Sequence, residues 1–330
     1  MTRAASRTGL PWPAIWAKTK QLAPWALALL VLVLLARHAH TIEWSEVWGA
    51  LQKQPLGGLG IAAVLALVSH GLFSSYELVG RHETGHKLPV PRTLGIGAVC
   101  YAFNLNFGSL VGALAIKLRL YDRAGVKAKQ VARIIVLSIV TNWIGYLFVG
   151  GLVMLLAPPP MPQRIDLSDG ALRAIGAAMV GVSLAYVLAC ALRHGKEISV
   201  RGHRFAVPVL RVALWQLAVA SANWALMGVI VWVLLAQSVP YAAVVGVLLL
   251  AAVAGVVTHV PAGLGVLEAV FVACLPDVGT PIVLAALLSY RAVYYLVPLA
   301  LASIGYAIGE VSRRGTPPVA APKRRAVQHG

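Results

Sequence analysis

Long apolar stretches recur along the chain at 22–36, 56–80, 93–116, 134–157, 171–192, 212–236, 239–275 and 281–309. All but the first are long enough to cross a hydrocarbon core of roughly 30 Å as helices. The short first run follows Arg3, Arg7, Lys18 and Lys20 and ends at Arg37 and His38 without a small-x-small cleavage site. It therefore reads as an uncleaved signal anchor whose flanking Lys20 and Arg37 snorkel toward the interfaces. Between the first two runs, Trp44, Val47, Trp48 and Leu51 fall at helical spacing, with Glu43, Glu46 and Gln52 between them. That pattern predicts a short amphipathic helix over 41–54, held at the outer surface by its tryptophans. Pro158, Pro159 and Pro160 mark an outer loop, and the basic, Pro-rich tail from Ser312 is expected to be disordered.

Composition agrees with lipid as the solvent. Hydrophobic residues make up 59% of the 330 positions, charged ones only 12%, and the mean hydropathy is +0.79. A soluble protein carries about twice that charged fraction. The net charge of +17 would ordinarily raise nucleic acid as a partner, but its distribution argues otherwise. Of the 28 Lys and Arg residues, 23 fall in 1–20, 81–92, 117–133, 193–211 and 310–330, as cytoplasmic loops do under the positive-inside rule. The expected placement is a bacterial cytoplasmic (inner) membrane, with both termini cytoplasmic, no nucleic-acid partner and an attraction for anionic headgroups. Cys100, Cys190 and Cys274 lie in apolar segments, with no metal spacing between them.

Loop charge refines the topology. If 22–36 runs outward and 56–80 inward, then 81–92 is cytoplasmic. A simple crossing by 93–116 would put the basic segment 117–133, with its six Lys or Arg and one Asp, outside. A re-entrant hairpin returns it to the cytoplasm, and Asn104, Leu105, Asn106, Phe107 and Gly108 suggest the tip. At the other end, Arg313, Arg314, Lys323, Arg324 and Arg325 hold the end of 281–309 inside. Stretch 239–275 must then enter and leave from the outside, broken at 258–265, where Pro261, Gly263 and Gly265 cluster. The expected fold is an all-α polytopic bundle of about six full spans plus two re-entrant hairpins. It forms one transmembrane domain over 21–311, between a basic N-terminus (1–20) and the tail (312–330). Units 56–157 and 212–309 would be inverted repeats, an architecture of transporters. The alternative is eight plain spans, which leaves 117–133 on the wrong side.

Polar groups in lipid are the first candidates for chemistry. Arg291 lies ten residues into its apolar stretch, roughly 15 Å deep by helical rise. Tyr290, Tyr294 and Tyr295 surround it in sequence, and Glu268, just past the break, is its natural partner. The pair could equally fix packing, and Glu268 could merely complement a half-helix dipole. Asn142 and Asn223, each followed by a tryptophan, and Ser69, His70, Ser74, Ser75 and Glu77 lie in other spans. Interhelical hydrogen bonding accounts for each of these singly, whereas convergence on one cavity would favour function. Amides freed at Gly263 to Gly265, and at Gly108 and Ser109, could face an anion such as a phosphate headgroup. Lys117 and Arg119 could gather that anion, or simply snorkel. His259, at the second break, reads as a satisfied polar group.

His82, Glu83 and His86 form a literal HExxH, the zinc-protease pattern. Gly85, Pro89 and Pro91 weaken the helix that pattern needs, and no third ligand is recognisable. There is neither a GxSxG nor a Gly-rich phosphate loop, so no cofactor is called for.

The segments THVPAGLGVLEAVF (258–271) and Ser289, Tyr290, Arg291, with YAFNLNFGSLVGALAIKLRLY (101–121) and VTNWIGY (140–146), resemble the lysylphosphatidylglycerol synthase transmembrane family. The likeness covers roughly residues 20 to 310 and is greatest to the stand-alone, YbhN-like inner-membrane branch. The resemblance implies a domain that, in multiple peptide resistance factors, moves aminoacylated phospholipid between leaflets. Pro261, Gly263, Gly265, Glu268 and Arg291 would then belong to the translocation core. About twenty residues follow the last stretch, so no synthase activity is expected. The leading expectation is a non-enzymatic lipid translocase (flippase) acting on a phospholipid or related amphiphile with an anionic phosphate headgroup. The alternatives are an intramembrane enzyme, zinc-dependent or lipid-modifying, and a non-transporting envelope scaffold.

Overall fold

The computed structural model describes residues 44–108, 114–161, 167–193, 197–200 and 203–314. The expected signal anchor and N-terminus, Ser109, and the tail beyond Arg314 lie outside these.

The first helix among the described residues is α1 (Trp44–Gln52), at the place of the predicted amphipathic helix. It buries Val47 and leaves Trp44 and Trp48 exposed, the arrangement expected of an interfacial anchor. After Pro55, α2 (Leu56–Ser74) runs almost directly into α3 (Tyr76–Thr84). At the junction Ser74 Oγ donates to His70 O (2.6 Å) and Ser75 Oγ to Leu72 O (2.6 Å), back-bonds that bend a helix without ending it. The end comes at Gly85, in the left-handed conformation (φ 66°) that closes helices.

Next are α4 (Val90–Phe107) and α5 (Leu114–Asp122), packed against each other as limbs of a hairpin. The first limb runs three residues beyond Asn104, so Asn104 and Asn106 sit in its last turn rather than at the tip. Two long helices, α6 (Ala128–Leu156) and α7 (Asp169–Leu192), follow. The basic loop after α7 carries strands β1 (Glu197–Val200) and β2 (His203–Ala206), paired antiparallel, which the all-α reading of the sequence did not include. Then come α8 (Leu210–Leu234), α9 (Tyr241–Thr258), α10 (Val266–Cys274) and α11 (Thr280–Tyr290). A π-helical turn (Arg291–Leu296) joins α11 to α12 (Val297–Arg314), so the last helix continues three residues into the predicted tail.

Among the described residues, six segments are long and apolar enough to cross a membrane: Leu56–Thr84, Ala128–Leu156, Asp169–Leu192, Leu210–Leu234, Tyr241–Thr258 and Thr280–Ile308. The protein is a helical, multi-pass membrane protein. Stretch 93–116 is not one helix, and stretch 239–275 breaks between Thr258 and Val266. The long limb of this second hairpin, α9, has spanning length by itself, whereas α10 has nine residues.

The same contacts recur in the two units. In the first, α2–α3 packs on α4 and α6, and α5 packs on α4 and α6. In the second, α8 packs on α9 and α11, and α10 packs on α9 and α11. Between units, α8 lies against α2 and α6. Lipid tails are as apolar as leucine, so helices in a membrane are held by close packing, which small residues permit. A Cβ on Gly145 would lie 2.4 Å from Ala220 Cβ, and one on Gly151 would lie 2.7 Å from Gly176 O. These glycines set the α6–α8 and α6–α7 approach. Gly145→Val is expected to lower stability by about 1–3 kcal/mol, through forced separation of α6 and α8. Gly71→Val, at a helical position with open space around it, should change stability far less. Thermal unfolding in detergent compares the two.

Candidate functional site

The backbone between α9 and α10 is unusual for a membrane interior. His259 (φ 55°), Ala262 (φ 57°), Gly263 (φ 55°) and Gly265 (φ 73°) are all left-handed, around a short 3-10 turn, Pro261–Gly263. Carbonyls freed from a helix in this way need donors, because hydrocarbon supplies none. Arg291 provides them. Nη1 donates to Ala262 O (3.1 Å) and Nη2 to Gly263 O (2.9 Å). The same guanidinium donates from Nε to Glu268 Oε1 (2.5 Å) and from Nη2 to Glu268 Oε2 (3.0 Å). Its carbon lies 5.4 Å from the centre of the Tyr295 ring, within cation–π range. The group is only 9% exposed, and four donor directions of one planar fork are occupied at once.

Arg291 begins a π-helical turn, and Pro298 after it has no N–H to offer Tyr294 O four residues earlier. Two carbonyls of the turn bond to other elements. His70 Nε2 on α2 lies 3.1 Å from Tyr294 O, and since a carbonyl only accepts, Nε2 carries the hydrogen. Asn106 Nδ2 on α4 donates to Tyr295 O (3.2 Å) and to Ala102 O (2.8 Å). Below these, Tyr294 OH bonds Tyr101 OH (2.9 Å) and Ser69 Oγ (2.7 Å), which donates to Asn223 Oδ1 on α8 (2.7 Å). The Tyr290 ring stacks on Tyr294. Tyr290 OH and Tyr76 OH are buried without hydrogen-bond partners.

The structure thus joins Asn106, Asn223, Gly263, Glu268, Tyr290 and Arg291 in one seam where both units meet. Gly265 caps α10 beside it, while Pro261 lies in the broken turn. Asn104 O receives the Gly108 N–H that closes α4, with Gly108 at φ 79°. Other candidates lie elsewhere. Asn142 contributes its carbonyl to the Trp224 indole N–H (3.2 Å). His259 is exposed, with Nδ1 2.9 Å from Val257 O. Arg119 is exposed on α5. The seam is a packed hydrogen-bond network; two open pockets lie elsewhere, one beside Phe148 and Tyr241, another between α1 and the end of α8.

Lys117 is not an exposed, snorkelling cation. It is 8% exposed, and Nζ lies 2.5 Å from Glu77 Oε1, whose other oxygen accepts from Tyr121 OH (2.7 Å). A buried carboxylate facing α5 captures it, which loop charge alone does not reveal. The HExxH reading also fails on geometry. The helix ends at Thr84, so His82 and His86 are not on one face of a continuous helix, and Glu83 pairs with Arg133 (3.1 Å). Among the described residues no three His, Cys, Asp or Glu side chains group as metal ligands.

Sequence reasoning missed the hydroxyls of Tyr101 and Tyr294, and a second polar chain, Tyr186 to Gln216 (2.7 Å) to Thr141 (2.8 Å), across α7, α8 and α6. Gln216, among the few polar residues of α8, was the available signal. Arg291→Met is expected to cost about 3–5 kcal/mol, because Glu268 stays buried without its partner. Adding Glu268→Gln should recover part of that loss. Thermal unfolding of the two single variants and the double variant, read as a cycle, checks it.

No family model matches the chain. It is 37% identical to the inner membrane protein YbhN of Escherichia coli (strain K12) over 297 residues, 89% of this chain and 93% of that one. An uncharacterised protein of Synechocystis is 30% identical over 88% of this chain and 92% of its own length. A phosphatidylglycerol lysyltransferase of Staphylococcus haemolyticus is 23% identical over 81% of this chain, which spans only 31% of that protein. With this identity over almost the full length of the E. coli protein, the chain belongs to the YbhN family of membrane proteins, related more distantly to the phosphatidylglycerol lysyltransferases.

Proposed function

We propose that this protein is a lipid translocase, moving a phospholipid or related amphiphile with an anionic phosphate headgroup between leaflets of a bacterial inner membrane. The observation that carries the reading is the seam itself. Two helical hairpins with interrupted backbones meet at a buried ion pair and a chain of hydroxyl and amide groups. Interhelical hydrogen bonding accounts for such groups singly, but their gathering with an ion pair into one seam favours a pathway.

In this reading the two units are inverted repeats, both termini are cytoplasmic, and no cofactor or covalent chemistry takes part. Arg291 and Glu268 neutralise each other at rest. A phosphate arriving at the α10 N-terminus would compete with Glu268 for the guanidinium and meet the freed amides beyond Gly263. That exchange keeps the guanidinium paired with an anion while the headgroup passes the seam. The lysyltransferase relative is named for phosphatidylglycerol, which supports the headgroup class; its transferase activity is not carried over, since most of that protein's length has no counterpart here.

The test uses full-length protein in liposomes containing fluorescent phosphatidylglycerol, with outer-leaflet label quenched by dithionite. Arg291→Ala and Glu268→Gln, each checked for an intact fold by size-exclusion profile, should slow label movement by about tenfold or more, corresponding to at least 1.4 kcal/mol in barrier. Wild-type rates in both variants would sink the proposal.

A further inference from the structure

A groove lies beneath α1, where that helix rests on α11. Gln54, two residues past α1, ties it to α8 as well, donating from Nε2 to Leu234 O (3.0 Å). The groove encloses about 640 Å³, within the roughly 300–1,000 Å³ that ligand sites occupy. α1 meets it with one stripe of its surface, Glu46, Gly49, Ala50 and Lys53, spaced i, i+3, i+4 and i+7. Lys53 lies just past the last helical residue, but its N–H still bonds Gly49 O (3.2 Å), so it keeps the helical register.

The stripe has an acid at one end and a base at the other, both exposed, with no bulky side chain between them. A Cβ at Gly49 would meet nothing within 4 Å, so the missing side chain leaves open space. The floor is apolar. Leu235 and Ala285 are buried there, and Ile282 is 48% exposed beside them. Behind the floor the chain leaves α8 through Ala236 (φ 51°) and Gln237 (φ 58°), two left-handed residues that carry side chains. Such backbone persists only where its surroundings over-determine it, and it gathers at ligand sites. Here the Gln237 N–H bonds Trp232 O (3.0 Å), and the Trp232 indole donates to Val239 O (2.9 Å), so the wall is braced. Trp44 and Trp48, exposed on α1, belong at the level where headgroups meet hydrocarbon.

We infer that this groove binds a phospholipid whose headgroup carries both an amine and a phosphate, as phosphatidylethanolamine does. Lys53 pairs with the phosphate, Glu46 accepts hydrogen bonds from the amine, and the first acyl-chain carbons lie over Ile282 and Ala285. The two charges stand seven residues apart, about 10 Å along the axis. A phosphate and an amine joined by two carbons, with a charge-assisted bond of about 2.8 Å at each end, fill that length. A headgroup bearing a phosphate alone pairs with Lys53 but brings a second negative charge toward Glu46. α11 begins at the groove and ends beside Arg291, which follows Ala285 by six residues, about 9 Å of helix. In the translocase reading, the groove receives or releases lipid at one end of the helix that leads to the seam. That role rests on the reading; the binding site does not.

The experiment photo-cross-links the full-length protein in phosphatidylglycerol nanodiscs doped with phosphatidylethanolamine that carries a diazirine near the glycerol end of one acyl chain. Labelled peptides are then mapped. Label is expected on 44–54 and 279–285 in the wild type. Gly49→Leu, which fills the open space, should cut it about tenfold. Glu46→Gln, which removes an exposed charge pairing, should cut it about two- to fivefold. The matching phosphatidylglycerol probe should label these peptides less, with a yield that does not fall in Glu46→Gln. Soluble glycerophosphoethanolamine in excess should leave the labelling in place, because it lacks the chains that lie on the floor. The site is overturned by no label on these peptides, by an unchanged yield in either variant, by equal labelling from phosphatidylglycerol, or by full displacement with the soluble headgroup. In liposomes, Gly49→Leu should slow the movement of fluorescent phosphatidylethanolamine several-fold, and a wild-type rate overturns the groove's role in transport. If the wild type moves no lipid, the translocase reading fails and that role with it, and the cross-links alone decide the site.

Discussion

One guanidinium holds the unusual part of this fold together. Hydrocarbon forgives apolar mismatch but not unsatisfied backbone, so a break such as 259–265 can exist inside a membrane only if its carbonyls find donors. Arg291 meets Ala262 O and Gly263 O while forming a two-pronged pair with Glu268, on the helix that the break begins. Break, half-helix and π-turn therefore form a single device. Without the arginine, the turn would lose its donors and Glu268 its counter-charge. At the π-turn, Tyr294 O, which has no i+4 donor because that residue is Pro298, is bonded by His70, and Tyr295 O by Asn106.

The two units handle buried charge in related ways. In each, the second hairpin limb carries one member of an ion pair near its start: Lys117 on α5 and Glu268 on α10. The partner lies on a long helix of the same unit, Glu77 on α3 or Arg291 just after α11. The polarity is reversed, with the cation on the limb in one case and the anion in the other. Each hairpin is thereby tied to its own unit by a neutral pair, while the link between units is made of uncharged hydroxyl and amide groups. Breaking neutral hydrogen bonds of this kind would strand no charge.

The polar seam and the apolar surroundings also set limits on one another. Close helix approach at Gly145 and Gly151 leaves α6, α7 and α8 firmly packed, as a frame. The hairpins and the π-turn occupy the remaining side, where backbone is irregular and side chains of several elements satisfy it. Regular helices carry the packing, and irregular ones carry the candidate chemistry.

Several features were legible in the sequence because they depend on local pattern. The approximate ends of the described spans followed from apolar length, and the amphipathic α1 from the spacing of Trp44, Val47, Trp48 and Leu51. Interruption of stretches 93–116 and 239–275 followed from loop charge, with Pro261, Gly263 and Gly265 marking the second break. The Glu268–Arg291 partnership was legible because two opposite charges in one apolar region have few alternatives, and the family was legible in 258–271 and 101–121. What sequence could not supply were relations between distant elements. Lys117 reads as an ordinary loop-end cation until α3 places Glu77 beside it, and Tyr101 and Tyr294 read as aromatic packing until their hydroxyls meet. HExxH was misleading because a motif specifies spacing along the chain, while a metal site needs the helix that Gly85 ends. Hydrophobicity and loop charge act along the chain and determine where it crosses the membrane. Pairing of buried polar groups acts across it, and the tertiary structure alone decided which of them meet, because in hydrocarbon each must find whatever partner the packed helices bring within reach.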